Sequence, residues 1–232
     1  MIYVTGDTHI PIDIFKLSPS NFKEQSKMTK DDFVIICGDF GGVWNDSGER
    51  GAEERFWVDW LNNKPFTTLF VDGNHENHPL LNTYPVEERY GGKVHVIRNS
   101  VLHLMRGEIF TLDNKKFFCM GGATSIDRRS RTPGISWWPE EMPSKREMDY
   151  ALENLERNHW KIDYIITHCG PESIVKSMSD LYEIDNLNQF FQVVYDQCEF
   201  KHWYFGHYHE DREVGSKFSA LYERIVPLGG VM

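Results

Sequence analysis

Five short apolar runs in this chain end on clusters of Asp, Asn and His, and glycine opens four of those clusters. Residues 2–5 lead into Gly6-Asp7-Thr8-His9, residues 33–37 into Gly38-Asp39-Phe40, and residues 67–71, past Asp72, into Gly73-Asn74-His75-Glu76. Residues 163–167 end on His168, and residues 202–205 on Gly206-His207-Tyr208-His209. Runs of this kind, rich in β-branched and aromatic residues, read as strands. In open α/β sheets, ligand sites gather beyond the carboxyl ends of the strands. Five polar clusters at five such ends can therefore meet in one place, and few folds allow that.

Further runs at 94–97, 101–104, 108–112, 116–120 and 219–226 also read as strands. Ala52, Phe56, Trp57, Trp60 and Leu61 share one helical face, as do Met148, Ala151, Leu152 and Leu155, and Leu187, Phe190, Phe191 and Val194. Ser144 and Glu147 have the spacing of a capping box at the start of the second helix. Strands and helices alternate in the first third, while Asp113-Asn114 marks a hairpin turn in the middle. The expectation is a mixed-sheet α/β sandwich. With no repeat or linker, residues 1–232 read as one domain.

The formal net charge of −10 argues against extended contact with duplex nucleic acid, which requires a basic face. Part of the acidic excess has a local reason, because carboxylates that hold cations count as negative until the cations arrive. Cys37, Cys119, Cys169 and Cys198 form neither a CxxC pair nor a disulfide framework. With no basic segment and apolar core at the start, and no apolar run of membrane-spanning length, the chain is expected to be cytoplasmic.

The residue types in the five clusters suit metal chemistry. Asp7 and His9 are two apart, so an extended backbone aims both the same way, offering an oxygen and a nitrogen to one ion; His207 and His209 repeat the spacing. Asp39 stands alone and suits a bridge between two ions. Glycine before a ligand lets backbone pass close to the metals. Two divalent ions about 3.5–4 Å apart clamp a phosphate and acidify a shared water, giving a hydroxide for in-line attack. Mixed imidazole and carboxylate donors favour Mn, Fe or Zn over Mg.

The ordered series D-x-H, G-D, G-N-H-[DE], H and G-H-x-H, from Asp7 to His209, resembles the calcineurin-like metallophosphoesterase family. The resemblance implies a four-layer α/β sandwich of two mixed β-sheets flanked by helices, and hydrolysis of phosphate mono- or diesters at a binuclear centre. It implies Asp7, His9, Asp39 and His209 at one metal, and Asp39, Asn74, His168 and His207 at the other. His75 becomes the general acid for the leaving group, with Asp72 or Asp39 holding its protonated form. The protein-phosphatase branch extends the second block to G-D-x-V-D-R-G, whereas this chain reads Gly38-Asp39-Phe40-Gly41-Gly42-Val43-Trp44.

The stretch 121–143 breaks the strand–helix rhythm. Arg128 and Arg131 are candidates to grip a phosphate, and Trp137 and Trp138 to stack on a base or sugar. The substrate reading is a small phosphorylated molecule, nucleotide-like, with no membrane partner. The alternatives are a nuclease or phosphoprotein phosphatase using the same site, or a non-catalytic scaffold that binds a partner. Glu76 and Glu172 are candidates to support the ligands. His78, His95, His103, His159 and His202 read as ordinary satisfied histidines.

Overall fold

The computed structural model describes residues 1–229. β1 (Ile2–Thr5), β2 (Phe33–Ile36), α1 (Gly48–Asn62) and β3 (Thr67–Phe70) form the opening unit, with the three strands parallel and adjacent. After α2 (His78–Leu81) come β4 (Val86–Arg89), β5 (Gly92–Arg98) and β6 (Val101–Leu104), the last parallel to β3. β7 (Glu108–Leu112) and β8 (Lys115–Met120) make a hairpin, followed by α3 (Lys145–Arg157), β9 (Tyr164–Thr167), α4 (Glu172–Met178) and α5 (Asn186–Gln197). β10 (His202–Phe205), β11 (Arg212–Val214), β12 (Phe218–Ala220) and β13 (Ile225–Pro227) complete the order.

These strands form two mixed sheets, one of seven strands in the order β13-β1-β2-β3-β6-β5-β4 and one of six in the order β11-β12-β10-β9-β8-β7. Alternation along each strand explains the layering. Phe33 and Ile35 of β2, with Tyr164 and Ile166 of β9, join the core between the sheets. Val34 and Ile36 turn to the outer layer with Val58 and Leu61 of α1, and Ile165 turns to the layer with Leu155 of α3 and Phe191 of α5. Three apolar layers separate four layers of structure, an α/β sandwich of two mixed sheets flanked by helices.

Local signals hold at several points. Ser144 and Glu147 form the reciprocal capping box of α3, and Asp113 and Asn114 both adopt positive φ in the β7–β8 turn. Two expectations change. On α1 the buried face runs through Val58 and Leu61, while Phe56 is exposed. The run at 219–226 is two strands in different sheets, β12 and β13. The chain crosses between the sheets where the Asp211 carboxylate accepts the backbone N–H groups of Tyr222, Glu223 and Arg224, a long-range contact with no local signature. β4 escapes a pattern search because it is a short edge strand of exposed, charged residues.

Candidate metal centre

The carboxyl ends of β1, β2 and β3 in one sheet and of β9 and β10 in the other face a common hollow. There Asp7, His9, Asp39 and His209 bring one donor atom each within 4.8 Å of one another. His9 Nε2 lies 3.2 Å from Asp39 Oδ2, and His209 Nε2 lies 3.3 Å from Asp7 Oδ2. On the other side of Asp39, His168 Nε2 lies 3.3 Å from Asp39 Oδ1 and 3.1 Å from Asn74 Oδ1. The His207 ring packs edge-on against His168 at 5.0 Å. The seven side chains expected at the metals are therefore neighbours, and Asp39 stands between the two groups.

The backbone reaches this arrangement differently from the extended geometry expected of Asp7-x-His9 and His207-x-His209. His9, Asp39, His207 and His209 have φ of 34, 44, 71 and 50°, in the left-handed region. Such residues cost on the order of 1 kcal/mol each and cluster at functional sites. The turn also divides the last pair: His209 faces Asp7 and His9, while His207 faces His168. The preceding glycines make room for a ligand from another strand. A Cβ on Gly73 would sit 2.0 Å from Asp39 Oδ1, and one on Gly206 would sit 2.2 Å from Asp7 Oδ1.

Partners behind the donors set their orientation. His9 Nδ1 donates to Asp13 Oδ2 at 2.7 Å, and His168 Nδ1 donates to the Cys37 carbonyl at 2.7 Å, so both Nε2 atoms point into the hollow. Asn74 Nδ2 donates to Ser125 Oγ at 3.1 Å, and Ser125 Oγ donates to the buried Glu141 carboxylate at 2.6 Å. That chain leaves Asn74 Oδ1 facing His168. Asp13, Ser125 and Glu141 carry no motif, and their roles come from proximity alone.

The electrostatics suit a cation. Burial works against charge on the His9 and His168 imidazoles, yet the Asp39 carboxylate lifts each to about 9. Burial also opposes the charged form of Asp39, but His168 and His9 hold it well below the carboxylate range. Protons and metal ions compete for the same donor atoms. Asp7 is 0% exposed, and its Oδ2 atom accepts no hydrogen bond. A buried carboxylate oxygen that accepts no hydrogen bond and faces the His209 imidazole at 3.3 Å favours a positive partner. With two carboxylates and two imidazoles within reach, the donor set fits a divalent first-row transition ion.

Beside this hollow lies a cleft of about 600 Å³, lined by His75, Arg128 and Arg131 from one side and Tyr182, Asp185 and Tyr208 from the other. The backbone N–H of His75 donates to Asp39 Oδ1 at 2.7 Å, and its Nε2 lies 4.0 Å from Asp39 Oδ2. Burial lowers the His75 pKa, Asp39 opposes that, and Arg131 adds to it. Arg131 Nη2 is 3.1 Å from both ring nitrogens, while its Nε pairs with Asp127 at 2.8 Å.

Other candidates fall elsewhere. Trp138 is buried against Trp44, the two rings 5.0 Å apart, and neither Trp137 nor Trp138 lines the cleft. The aromatic wall is instead Tyr182 and Tyr208, 4.7 Å apart. Asp72 turns away from His75 to His103 and Arg106, leaving Asp39 as the carboxylate beside His75. Glu172 pairs with Lys176 on α4, whereas the buried Glu76 accepts the Phe40 N–H at 2.6 Å under the metal loop. Burial, then Asp39, pushes Glu76 well above the carboxylate range. Among the described residues no helix is long and apolar enough to cross a membrane.

Residues 1–211 match the family described as calcineurin-like phosphoesterase. No curated protein matches the chain.

Proposed function

The chain belongs to the calcineurin-like phosphoesterase family, metal-dependent hydrolases of phosphoesters that use divalent ions, and we propose that it cleaves a small, nucleotide-like phosphate ester at a two-metal centre. The observation that carries the two-metal reading is Asp39. Its Oδ2 faces His9 and its Oδ1 faces His168, so a single carboxylate serves two donor groups. Asp7, His9, Asp39 and His209 would hold one ion, and Asp39, Asn74, His168 and His207 the other. When bound, such ions supply positive charge to the phosphoryl oxygens and acidify water.

The remaining work falls to side chains at the cleft. Asp39 fixes the His75 backbone, which keeps the imidazole at the cleft wall, within reach of a leaving-group oxygen. Burial lowers the His75 pKa, Asp39 opposes that and Arg131 adds to it, while the negative charge of a phosphate raises the proton affinity of an imidazole beside it. Arg131 and Arg128 offer guanidinium groups to the phosphate. Tyr182 and Tyr208 supply an aromatic face for a base or a ribose, while the Asp185 carboxylate beside them caps α5 and accepts from the Thr124 hydroxyl.

The test is turnover of p-nitrophenyl phosphate and bis-p-nitrophenyl phosphate with Mn, alongside nucleotides, single-stranded DNA and phosphopeptides. His75→Ala is expected to lose about 10²–10⁴-fold in kcat while keeping its metal. Equal rates for variant and parent would remove His75 as the acid. Tyr182→Ala should raise KM for nucleotides more than for p-nitrophenyl phosphate. An equal rise would exclude base stacking, and preference for phosphopeptides would overturn the substrate class.

A further inference from the structure

We propose that Tyr222 and Asp13 are positioning residues for the metal centre: Tyr222 holds the His209 ring by stacking, and Asp13 holds the His9 ring by hydrogen bonding. The inference rests on the reading that His9 and His209 are metal ligands. Tyr222 lies beyond the family match, which ends at residue 211, whereas Asp13 lies within it but outside the motif series.

The need follows from exposure. His168 is 0% exposed, so packing fixes its ring, but the His209 side chain is 51% exposed and has no wall of core residues to hold it. An exposed imidazole loses rotamer freedom when it takes up a ligand, unless something has already ordered it. Tyr222 does so. Its ring lies 4.6 Å from the His209 ring at an interplanar angle of 17°, a stacked pair. At the same rim, Asp13 Oδ2 accepts from His9 Nδ1 at 2.7 Å, which leaves His9 Nε2 for Asp39. The two imidazoles stand edge to face, their centroids 5.1 Å apart.

Tyr222 can act as a platform because the backbone of residues 222–224 is anchored from three directions. Asp211 Oδ1 accepts the Tyr222 N–H at 2.8 Å. The buried Lys16 ammonium donates to the Tyr222 carbonyl and also to the carbonyls of Gly6 and Asp7, tying the platform to the loop that carries Asp7. Thr5 Oγ1 donates to the Arg224 carbonyl at 2.8 Å, and β13 then pairs with β1. Gly6 makes the approach possible: a Cβ there would lie 2.0 Å from the Leu221 carbonyl oxygen and 2.7 Å from Tyr222 Cα. The glycine before Asp7 thus admits the C-terminal segment to the metal loop.

The experiment titrates metal-free full-length protein with Co²⁺ against a competing chelator and records the visible cobalt spectrum and the metal-free thermal transition. Tyr222→Leu and Asp13→Ala should each weaken Co²⁺ binding about 10–100-fold and alter the cobalt band. Tyr222→Phe, which keeps the ring, and Asp13→Asn, which keeps an acceptor, should recover most of the affinity. The metal-free transition of these two conservative variants should match the parent, separating positioning from folding. If Tyr222→Leu and Asp13→Ala bind Co²⁺ with parental affinity and spectrum while His209→Ala binds weakly, the positioning roles are refuted and the metal centre stands. If the parent takes up no Co²⁺, or His209→Ala binds as the parent does, both readings fall together.

Discussion

Two clusters of aspartate and histidine, each built on buried carboxylates, flank the loop that follows β3, and they have different fates. One gathers Asp7 and Asp39 with His9, His168 and His209. The other gathers Asp72 with His103, His95 and His78: His103 Nε2 donates to Asp72 Oδ1 at 3.0 Å, and His95 Nδ1 lies 2.9 Å from His103 Nδ1. The second cluster contains its own cation. Arg106 donates to Asp72 Oδ2 through Nε at 2.9 Å and through Nη2 at 2.5 Å, which closes the charge internally. In the first cluster, among the described residues, no Lys or Arg side chain bonds either carboxylate; imidazoles face them instead, and Asp7 Oδ2 accepts no hydrogen bond, with His209 Nε2 3.3 Å away. Composition therefore does not separate a metal centre from a structural network. The separating feature is whether the fold supplies a permanent cation, as Arg106 does for Asp72, or imidazoles whose protons a metal ion can displace.

The comparison can be broken at several strengths. The largest effect is expected from Asp39→Ala, which removes the carboxylate shared by both donor groups: cation uptake measured by elemental analysis should fail, and kcat/KM should drop by at least about 10³-fold, on the order of 4 kcal/mol. A variant that keeps its metal would contradict the bridging role. Arg106→Met should destabilise the chain by about 3–5 kcal/mol in denaturant titrations, because Asp72 is left buried and unpaired, while cation uptake per folded chain stays at the parental level. Unchanged stability would mean that Arg106 is not the internal counter-charge.

The smallest effect concerns acid. Burial, then neighbouring charge, holds His78 at about 3 and His95 at about 4, so both stay neutral in the folded chain over a range where the unfolded chain protonates them. Their contribution to stability is fully present above about pH 6.5 and declines as the pH falls toward 4. Urea midpoints of metal-free protein should follow that slope between pH 7 and 4.5, and His95→Phe should flatten part of it. A parental slope in that variant would show that His95 does not contribute as described.

Much of the fold was legible because its signals are local. The runs at 2–5, 101–104, 108–112 and 202–205 coincide with β1, β6, β7 and β10, and the Ser144–Glu147 box sits at its helix start. The motif series likewise identified which side chains would be neighbours, since each one closes a strand. Local pattern did not reveal that 219–226 crosses between sheets, that Trp138 fills the interior against Trp44, or that Tyr182 and Tyr208 wall the cleft.

By itself, the amino-acid order determined most strand positions, the layered class of fold and the chemical kind of the site, because apolar runs and glycine-led polar clusters are written in adjacent residues. Tertiary structure decided which Asp keeps an unsatisfied oxygen and which His is turned by Asp13, Cys37 or Tyr222. Those outcomes depend on groups as distant in sequence as Gly6 and Tyr222, or Asp72 and Arg106, and only folding sets the distance and screening between such groups, hence the sign and size of what they do to one another.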